Sequence, residues 1–392
     1  MAQLRCPTAG QVLEKIGPEK EIQSLQLDKI SLLFVMIFCC WPFSVSAEEI
    51  TLKYFAHKTI DSEFTFKKSL VGGLSAIVYK DGKIFTLSDD RGKEDVPRFF
   101  VWNFSVAENK INIQPTNVVY LENESEKKLK LDSEGLARWN GALLFSTEGD
   151  MNKKPRIQPG IFTLSLDGKI KTQWPLPEKF LANPSGIQKT GVFDNRGFEG
   201  LTSTPDEKFV FAITESALIT DYDKDHEQQW IRIIKYDQKG KVLAEYPYLI
   251  KDSIAESDKK KEKDFFRGVS EILAVSEHQL LVMERGVRLS LEGIKKTVSI
   301  YLLDLNHAED VSKVARIPDM KKNPSVNKRL LFDLEKDLPR DLEDFKNIEN
   351  FEGMAWGPVL DGQKKSILLV SDNNFSKKEK TQFVILSLQV QP

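Results

Sequence analysis

The chain has 392 residues, of which 41% are hydrophobic, including 24 phenylalanines, and this composition is sufficient for a large folded core. The formal net charge of −2 argues against a nucleic-acid partner, because nucleic-acid-binding domains carry a clear excess of basic residues. The length fits two average domains or one large domain built from repeats, and the sequence pattern favours the second.

The N-terminal segment has the layout of a secretory signal. An apolar run over 30–47 follows Lys29 and ends in the small residues VSA, directly before Glu48. An apolar stretch that ends in a small-residue cleavage site is typical of a signal peptide. The region before the run is unusually long and carries as many acids as bases. We therefore predict a signal peptide over 1–47 and a single domain over 48–392, periplasmic or secreted, with no membrane contact after cleavage; an uncleaved N-terminal membrane anchor is the alternative.

Cysteine usage agrees with export. All three cysteines (Cys6, Cys39 and Cys40) precede the predicted cleavage site, so the exported chain would contain none. A protein without cysteine needs no disulfide formation in an oxidising compartment.

Five segments repeat one pattern of two apolar strands joined by a turn. Each begins near a Glu or Ser, continues with a strand of alternating character, turns at a dipeptide such as Asp81-Gly82, and ends its second strand in an acid. Turn dipeptides between two apolar runs indicate β-hairpins. The segments are LSAIVYKDGKIFTLSDDRG (74–92), SEGLARWNGALLFSTEGD (133–150), FEGLTSTPDEKFVFAITES (198–216), SEILAVSEHQLLVMERG (270–286) and FEGMAWGPVLDGQKKSILLVSDNN (351–374).

A second strand pair follows four of these hairpins. Four antiparallel strands per unit, repeated radially, form a β-propeller blade. We predict an all-β propeller of five blades; a sixth blade within the long insertions and a β-sandwich are the alternatives. The second pairs are RFFVWNF (98–104) with INIQPTNVVYL (111–121), GIFTLSLDGKIKTQW (160–174), WIRIIKYDQKGKVLAEYPYL (230–249), and SIYLLDL (299–305) with a strand near 311–317.

The fifth unit is short of one strand. Only TQFVILSLQ (381–389) follows its hairpin before the chain ends, and EITLKYFAHK (49–58) is an unassigned strand at the other end. We predict that the N-terminal strand completes the last blade and closes the ring. The insertion over 318–349 is predicted to hold helical pieces within KRLLFDLEKDL (328–338).

The repeated acids are expected to meet in space. An antiparallel hairpin brings the start of its first strand and the end of its second to one edge, and radial symmetry then gathers these edges around one mouth of the central channel. Carboxylates crowded in this way raise one another's pKa unless a cation intervenes. The acids form a predicted ring of nine: Asp89, Glu134, Glu148, Glu199, Glu215, Glu271, Glu284, Glu352 and Asp372.

A cluster of oxygen ligands suits Ca²⁺ better than Mg²⁺, and does not suit zinc. We therefore expect calcium as the cofactor. The predicted metal ligands are Asp89, Glu134, Glu148, Glu199, Glu215, Glu352 and Asp372.

Arginines flank the same acids, and this leaves two interpretations open. Arg91, Arg196 and Arg285 either pair with the acids and tie the blades together, or recognise an anionic oxygen of a ligand. We predict Arg196, Glu199 and Glu352 as catalytic residues. The two glutamates would act as metal ligands or general base, and the arginine would stabilise charge on the transferred group.

A separate acidic stretch, DYDKDHE (221–227), resembles the opening of a calcium loop. Its Asp221, Asp223 and Asp225 have the spacing, but the glycine at the sixth place is absent and Arg232 stands at the twelfth, where a glutamate is needed. We interpret it as a solvated loop.

Two stretches carry a resemblance to a known family. DNRGFEGLTSTPDEKFVFAITESAL (194–218) and the segment from NFEGM (350–354) to SDNNF (371–375) resemble the signatures of the phytase-like proteins, a family described by an esterase-like activity of phytase. The resemblance covers roughly 65–389 and implies an exported bacterial propeller. This chain has Glu271-Ile272 where a typical member has Glu-Gly in the fourth blade.

No motif of a common hydrolase is present in the sequence: it contains no G-x-S-x-G, no Arg-His-Gly, no H-E-x-x-H and no P-loop. The leading hypothesis is an exported, calcium-dependent hydrolase of phosphate or carboxylate esters, acting on a small anionic ester as a monomer. The alternative is a non-catalytic periplasmic propeller that binds a ligand or a protein.

Overall fold

The computed structural model describes residues 49–123, 131–223, 228–251, 263–290 and 293–391. The predicted signal peptide, its alternative as a membrane anchor, and the three cysteines lie outside the described residues. In the described part of the chain, no helix has the length and apolar character needed to cross a membrane.

Strands account for nearly all regular structure, as the alternating apolar pattern predicts. Three strands precede the first hairpin: β1 (Glu49–Ile60), β2 (Thr65–Phe66) and β3 (Ser69–Leu70). The first blade contains β4 (Leu74–Lys80), β5 (Lys83–Ser88), β6 (Arg98–Ala107) and β7 (Lys110–Tyr120). The second contains β8 (Ser133–Trp139), β9 (Ala142–Thr147), β10 (Gly160–Leu164) and β11 (Ile170–Gln173).

The remaining blades follow the same antiparallel order. The third contains β12 (Phe198–Ser203), β13 (Phe209–Thr214), β15 (Gln228–Asp237) and β16 (Val242–Lys251), with the short β14 (Tyr222–Asp223) beside β15. The fourth contains β17 (Lys263–Ala274), β18 (Gln279–Ser290), β19 (Gly293–Asp304) and β20 (Asn327–Asp333). The fifth contains β21 (Asn350–Trp356), β22 (Ser366–Asp372) and β23 (Thr381–Gln391), and β1 as its outer strand.

Within the described ranges, helical structure is limited to single turns. One α-helical turn, α1 (Leu334–Asp337), begins at Asp333, whose side chain accepts a hydrogen bond from the backbone nitrogen of Glu335. The 3₁₀ turns are Glu178–Phe180, Ile317–Asp319 and Asp361–Gln363.

The N-terminal strand closes the ring, as predicted. Strand β1 pairs antiparallel with β23 from Glu49 opposite Gln391 to Ile60 opposite Thr381. Backbone hydrogen bonds between the two ends of the described chain thus complete the fifth blade, and they cover an edge of β23 that would otherwise be unpaired.

Each junction between neighbouring blades is filled by an apolar cluster, and the junction between the fifth blade and the first is filled in the same way. The two inner strands of each blade are therefore buried on both faces, which explains their nearly continuous apolar sequences. The described residues thus form a complete ring of five blades. Representative members of the five clusters are Leu87 with Phe145, Leu144 with Val210, Phe211 with Val282, Met283 with Leu369, and Phe100 with Phe383.

The outer strand of the fourth blade differs from the prediction. We expected it near 311–317, and expected helical structure over 328–338. Instead β20 pairs with β19, with Asn327 opposite Asp304, and only α1 is helical. The physical reason is that Val311 and Ile317 pack against Trp230 of the third blade, which removes the 311–317 segment from the edge of β19.

The acidic stretch over 221–227 also differs from the expected solvated loop at its one well-described acid. The Asp221 carboxylate is fully buried and accepts two hydrogen bonds from Arg232, at 2.6 and 3.1 Å. Arg232 also bonds the buried Glu245 at 2.9 Å. Residues 224–227 lie outside the described residues, so the comparison ends there.

Candidate functional site

The strand registers align the five hairpins residue by residue. In each hairpin, the first strand has a bulge directly after one residue that is paired with the second strand. From the partner of that residue, the second strand continues toward the loop at its end. The defining pairs are Leu74–Ser88, Ser133–Thr147, Phe198–Thr214, Val269–Glu284 and Phe351–Ser371.

Two equivalent positions per blade follow from these pairs. We call the residue that follows the first-strand member of each pair the bulge position. We call the residue that follows the second-strand member the exit position. The bulge positions hold Ser75, Glu134, Glu199, Ser270 and Glu352. The exit positions hold Asp89, Glu148, Glu215, Arg285 and Asp372.

The fourth blade therefore breaks the pattern of acids at both positions. The sequence comparison had matched Glu271 and Glu284 to the acids of the other blades, one residue away from Ser270 and Arg285. Glu271 instead accepts hydrogen bonds from the backbone nitrogens of Leu201 at 2.9 Å and Ile272 at 3.0 Å. The expectation of nine carboxylates around the mouth is thus wrong for two members.

Glu284 lies in a separate buried network. Its carboxylate accepts hydrogen bonds from the hydroxyl of Tyr248 at 2.7 Å and from the Nζ of Lys328 at 2.5 Å, and it pairs with Arg267 at 3.4 Å. These partners satisfy the charge within the fourth blade and its junction with the third.

Six of the seven predicted metal ligands line one cavity of about 460 Å³, which we call the mouth. The seventh, Glu215, is bonded to Arg285, which itself lines the cavity. These six carboxylates come from four blades: Asp89, Glu134, Glu148, Glu199, Glu352 and Asp372; Asp90, which is paired with Arg98, and the exposed Glu94 also line the cavity.

The second blade supplies a compact group of acids at one side of the mouth. Asp132, Glu134 and Glu148, which we call the acidic triad, are all buried and can each place one carboxylate oxygen within 4.8 Å of the others. Arg91 donates from Nε to Asp132 at 2.5 Å and lies 3.9 Å from Glu148. Among the described residues, the buried Oδ2 of Asp132 has no hydrogen-bond partner.

Asp132 was not predicted from the sequence. It precedes the first paired residue of its hairpin, and the other blades have no acid at the matching place, so the repeat gave no signal for it. Its position two residues before Glu134 was the only available indication.

Arg285 neutralises the opposite side of the mouth. Its guanidinium pairs with Glu215 and with Glu352, each at 2.7 Å, and donates to the side-chain oxygen of Asn350 at 2.6 Å. Asn350 in turn donates to Glu352 at 2.8 Å. The interpretation that arginines pair with the repeated acids is therefore correct on this side.

Burial and mutual repulsion both act on the carboxylates of the mouth. Burial, followed by the charges of Glu215, Glu148 and Glu352, raises the pKa of Glu199 well above its usual value. Burial raises the pKa of Glu352 to about 8 despite the opposing effect of Arg285. The protein without a bound cation would therefore keep protons in the mouth at neutral pH.

The same causes act on the other acids of the mouth. Burial is the largest cause for each, and for Glu134 the charges of Glu199 and Asp132 follow it. The pKa of Glu134, Glu148 and Asp89 is raised well above its usual range, and that of Asp372 is raised to about 6.

The two candidate catalytic glutamates differ in their surroundings. Glu352 is bonded to Arg285 and Asn350. Glu199 lines the mouth and is 6% exposed, and no donor within the described ranges contacts its carboxylate. Of the two, Glu199 is the one whose oxygens are available to a ligand.

Arg196 lies outside the mouth. Its side chain is exposed, and its guanidinium stacks over the ring of Phe266 with 4.8 Å to the ring centroid. Its charge still reaches Glu215, whose pKa it lowers against the larger effect of burial. The cations that line the mouth are Arg91, Lys93 and Arg285, and the catalytic role of Arg196 stays a prediction.

The glycines after the bulge glutamates let neighbouring blades approach closely. A Cβ at Gly135 would lie 2.5 Å from the backbone oxygen of Glu199 in the next blade, and one at Gly200 would lie 2.9 Å from the nitrogen of Ile272. A Cβ at Gly353 would likewise lie 3.0 Å from the nitrogen of Ile77. The repeated Glu-Gly thus combines a carboxylate at the mouth with backbone contact between inner strands.

Comparison with known proteins identifies the family of the chain. A family model described as "Phytase-like: Esterase-like activity of phytase" matches residues 69–375. No curated protein is detectably similar to the chain.

Similar solved structures include an endo-arabinase from Bacteroides thetaiotaomicron, at 10% identity and a TM-score of 0.42 over 84% of this chain and 98% of that one. A glycosyl hydrolase from Bacteroides ovatus is 11% identical, with a TM-score of 0.43 over 81% of this chain and 84% of that one. At these TM-scores neither similarity carries an argument about fold or activity.

Proposed function

The chain belongs to the phytase-like family, and we propose that it is a hydrolase that cleaves a small anionic ester, of phosphoric or carboxylic acid, at the mouth of its propeller. The observation that carries the proposal is the convergence of six of the predicted metal ligands, all buried or half-buried carboxylates, from four blades on one cavity. Repeated architecture alone does not require so many acids in one place, since each costs free energy to bury without a counter-charge.

A divalent cation fits the donors present. The available ligands are carboxylate and amide oxygens, the oxygen of Asp132 without a partner is buried beside two further acids, and hard oxygen clusters of this kind prefer Ca²⁺. We propose that the acidic triad holds the ion, with Asp89 and Glu199 next to it. When bound, such an ion would screen the carboxylates, hold an anionic oxygen of the ester and lower the pKa of an attacking water.

The residues of the chain have distinct proposed roles. Glu199 acts as the general base, because its carboxylate lines the mouth and no donor among the described residues bonds it. Burial raises the pKa of this carboxyl above its usual value, which makes it a stronger base than a solvent-exposed glutamate. Glu352 is positioned by Arg285 and Asn350 and remains a candidate ligand or base. Arg91 lines the mouth and its side chain is 43% exposed, so it is better placed than Arg196 to bind an anionic oxygen of the substrate.

Turnover by purified protein tests this proposal. We expect hydrolysis of p-nitrophenyl phosphate, phytate or p-nitrophenyl acetate in calcium, and loss of that activity in EGTA. Glu199→Gln should lower kcat by about 10²- to 10⁴-fold, as expected for loss of a general base. Glu63→Gln, at an exposed glutamate outside the mouth, is the matched control and should leave turnover unchanged.

The competing function is a binding propeller without catalysis, and the same assay separates the two. Tight binding of an anionic ligand with no turnover in calcium would favour the binding propeller. Arg196→Gln, assayed beside Arg91→Gln, tests whether the exposed arginine has the role predicted from the sequence.

We also propose export of the chain as a monomer, with residues 1–47 removed. Mass spectrometry of the protein from its host should find an N-terminus at or near Glu48. An intact chain in the membrane pellet would support the anchor instead.

A further inference from the structure

Arg285 occupies a position that carries an acid in every other blade. The hairpin registers place it at the exit position, where the other four blades have Asp89, Glu148, Glu215 and Asp372. A change from carboxylate to guanidinium at this position alters the local charge by two units. The fourth blade also has Ser270 in place of a bulge glutamate, so it contributes a cation and no carboxylate at these two positions.

The guanidinium contacts a set of oxygens that resembles a cation site. It bonds Glu215 of the third blade, Glu352 of the fifth, and the side-chain oxygen of Asn350, at 2.6 to 2.7 Å. Two carboxylates and an amide oxygen are the ligand types that calcium takes in proteins. The side chain of Arg285 is only 16% exposed, so the contacts are not those of a loose surface pair.

Among the described residues, the other side of the mouth has no cation bonded to several oxygens in this way. Arg91 bonds only Asp132 of the acidic triad closely, is 3.9 Å from Glu148, and has a side chain that is 43% exposed. Glu134 and Glu199 line the mouth beside it, and Lys93, which also lines the mouth, is exposed. The buried positive charge therefore lies on the side of Arg285, whereas the cations on the side of the triad are exposed.

We propose that Arg285 is an internal counter-ion that fills the place of a second divalent cation, so that the mouth accepts one such ion, on the side of the acidic triad. The location of that one ion rests on the proposed function, whereas the role of Arg285 rests on its own contacts. Removal of the guanidinium frees Glu215, Glu352 and Asn350 to bind an added cation.

Cation stoichiometry of the full-length protein tests this role directly. Calcium titration by calorimetry, with terbium luminescence as a second readout, should give Arg285→Gln one more bound cation per chain than the parent protein. Arg285→Lys keeps the positive charge and should not gain an ion. Lys208→Gln removes a charge from an exposed lysine paired with Asp206, away from the mouth, and serves as the control for net charge.

The number of cations bound by Arg285→Gln distinguishes an internal counter-ion from a brace between blades. A folded Arg285→Gln protein with the stoichiometry and affinity of the parent overturns the proposal, and Arg285 is then only a brace between blades. If Arg285→Gln folds only when calcium is present, the ion has replaced the guanidinium and the proposal is supported. If Arg285→Gln folds neither with nor without calcium while Arg285→Lys folds, the calcium affinities of Glu134→Gln and Glu352→Gln test the proposal instead.

In the parent background, Glu134→Gln should weaken calcium binding by about 10- to 100-fold, as for loss of a charged partner. Glu352→Gln should change the affinity by less than about threefold, because Arg285 already occupies that side. Equal losses in both variants would overturn the proposal.

Failure of the proposed function is distinguishable from failure of this inference. A parent protein that binds no calcium and hydrolyses no ester contradicts the proposed function. A cation gained by Arg285→Gln still supports the role of Arg285 as an internal counter-ion. A calcium-dependent hydrolase whose Arg285→Gln variant gains no ion contradicts only the role of Arg285 as an internal counter-ion.

Discussion

At the scale of single residues, the repeated Glu-Gly has two separate functions. The glutamate lies in a bulge and directs its carboxylate to the mouth, and the glycine beside it meets the backbone of the next blade. Sequence repetition identifies both residues, because the pair recurs in three blades. It does not reveal the one-residue shift in the fourth blade, because nothing in a local sequence such as SEIL (270–273) indicates on which residue a bulge falls.

Substitution of the glycines is expected to damage folding whether or not the mouth binds a cation. Gly200→Val and Gly353→Val should each lower the free energy of unfolding by about 2 kcal/mol or more, because the added carbons meet backbone atoms that have little room to move. Urea denaturation measures the loss. Gly141→Asn is the control, because a Cβ there meets nothing within 4 Å and asparagine tolerates the positive φ of +78° better than other residues; its loss should be smaller than that of either valine variant.

The raised pKa values predict how stability depends on pH. Burial raises the pKa of Glu352 to about 8 and that of Asp372 to about 6, from usual values of 4.5 and 3.8. In the absence of calcium, the folded protein therefore binds more protons than the unfolded chain at every pH between the usual and the raised pKa of each group. Stability must fall as pH rises through that window.

Unfolding in EGTA should therefore show a free energy that decreases by roughly 2 kcal/mol or more from about pH 5 to about pH 8.5. Calcium binds the deprotonated carboxylates, so the stabilisation it gives should grow over the same range. Glu352→Gln should flatten the EGTA profile. A stability in EGTA that rises with pH across this window would contradict the assigned protonation states.

At the scale of strands, the two ends of the described chain depend on each other. Strand β1 was predictable as the closing strand because the fifth unit had three strands and one apolar segment was unassigned. Strand β20 was not predictable, because the preceding loop crosses to the third blade: Val311 donates its backbone nitrogen to Glu245, and its carbonyl accepts from Arg232. Such contacts between distant segments leave no periodic signal in the sequence.

Deletion of residues 49–60 should expose the edge of β23. We expect a lower melting temperature and strong light scattering, since an unpaired strand edge invites pairing with other chains. A protein lacking only residues 1–48 keeps β1 and is the matched control. Equal melting temperatures of the two truncated proteins would show that β1 contributes no stability to the ring.

At the scale of the whole molecule, radial symmetry explains why acids from distant parts of the sequence meet. Five turn-marked hairpins predicted the ring, and the geometry of a hairpin predicted that its two ends share the mouth; six of the seven predicted ligands line it. The departures from symmetry were not predictable: Asp132 has no counterpart in other blades, and Arg285 replaces an acid. Both determine where a cation would bind.

We propose that the mouth holds a divalent cation at the acidic triad, and a crystal structure of the protein with terbium in place of calcium, located by anomalous scattering, shows directly whether it does. We expect one strong peak between Asp132, Glu134 and Glu148, and no peak between Glu215 and Glu352. A mouth without a peak, with its carboxylates closed onto Arg91 and Arg285, would overturn the cation site and leave the acids as braces between blades.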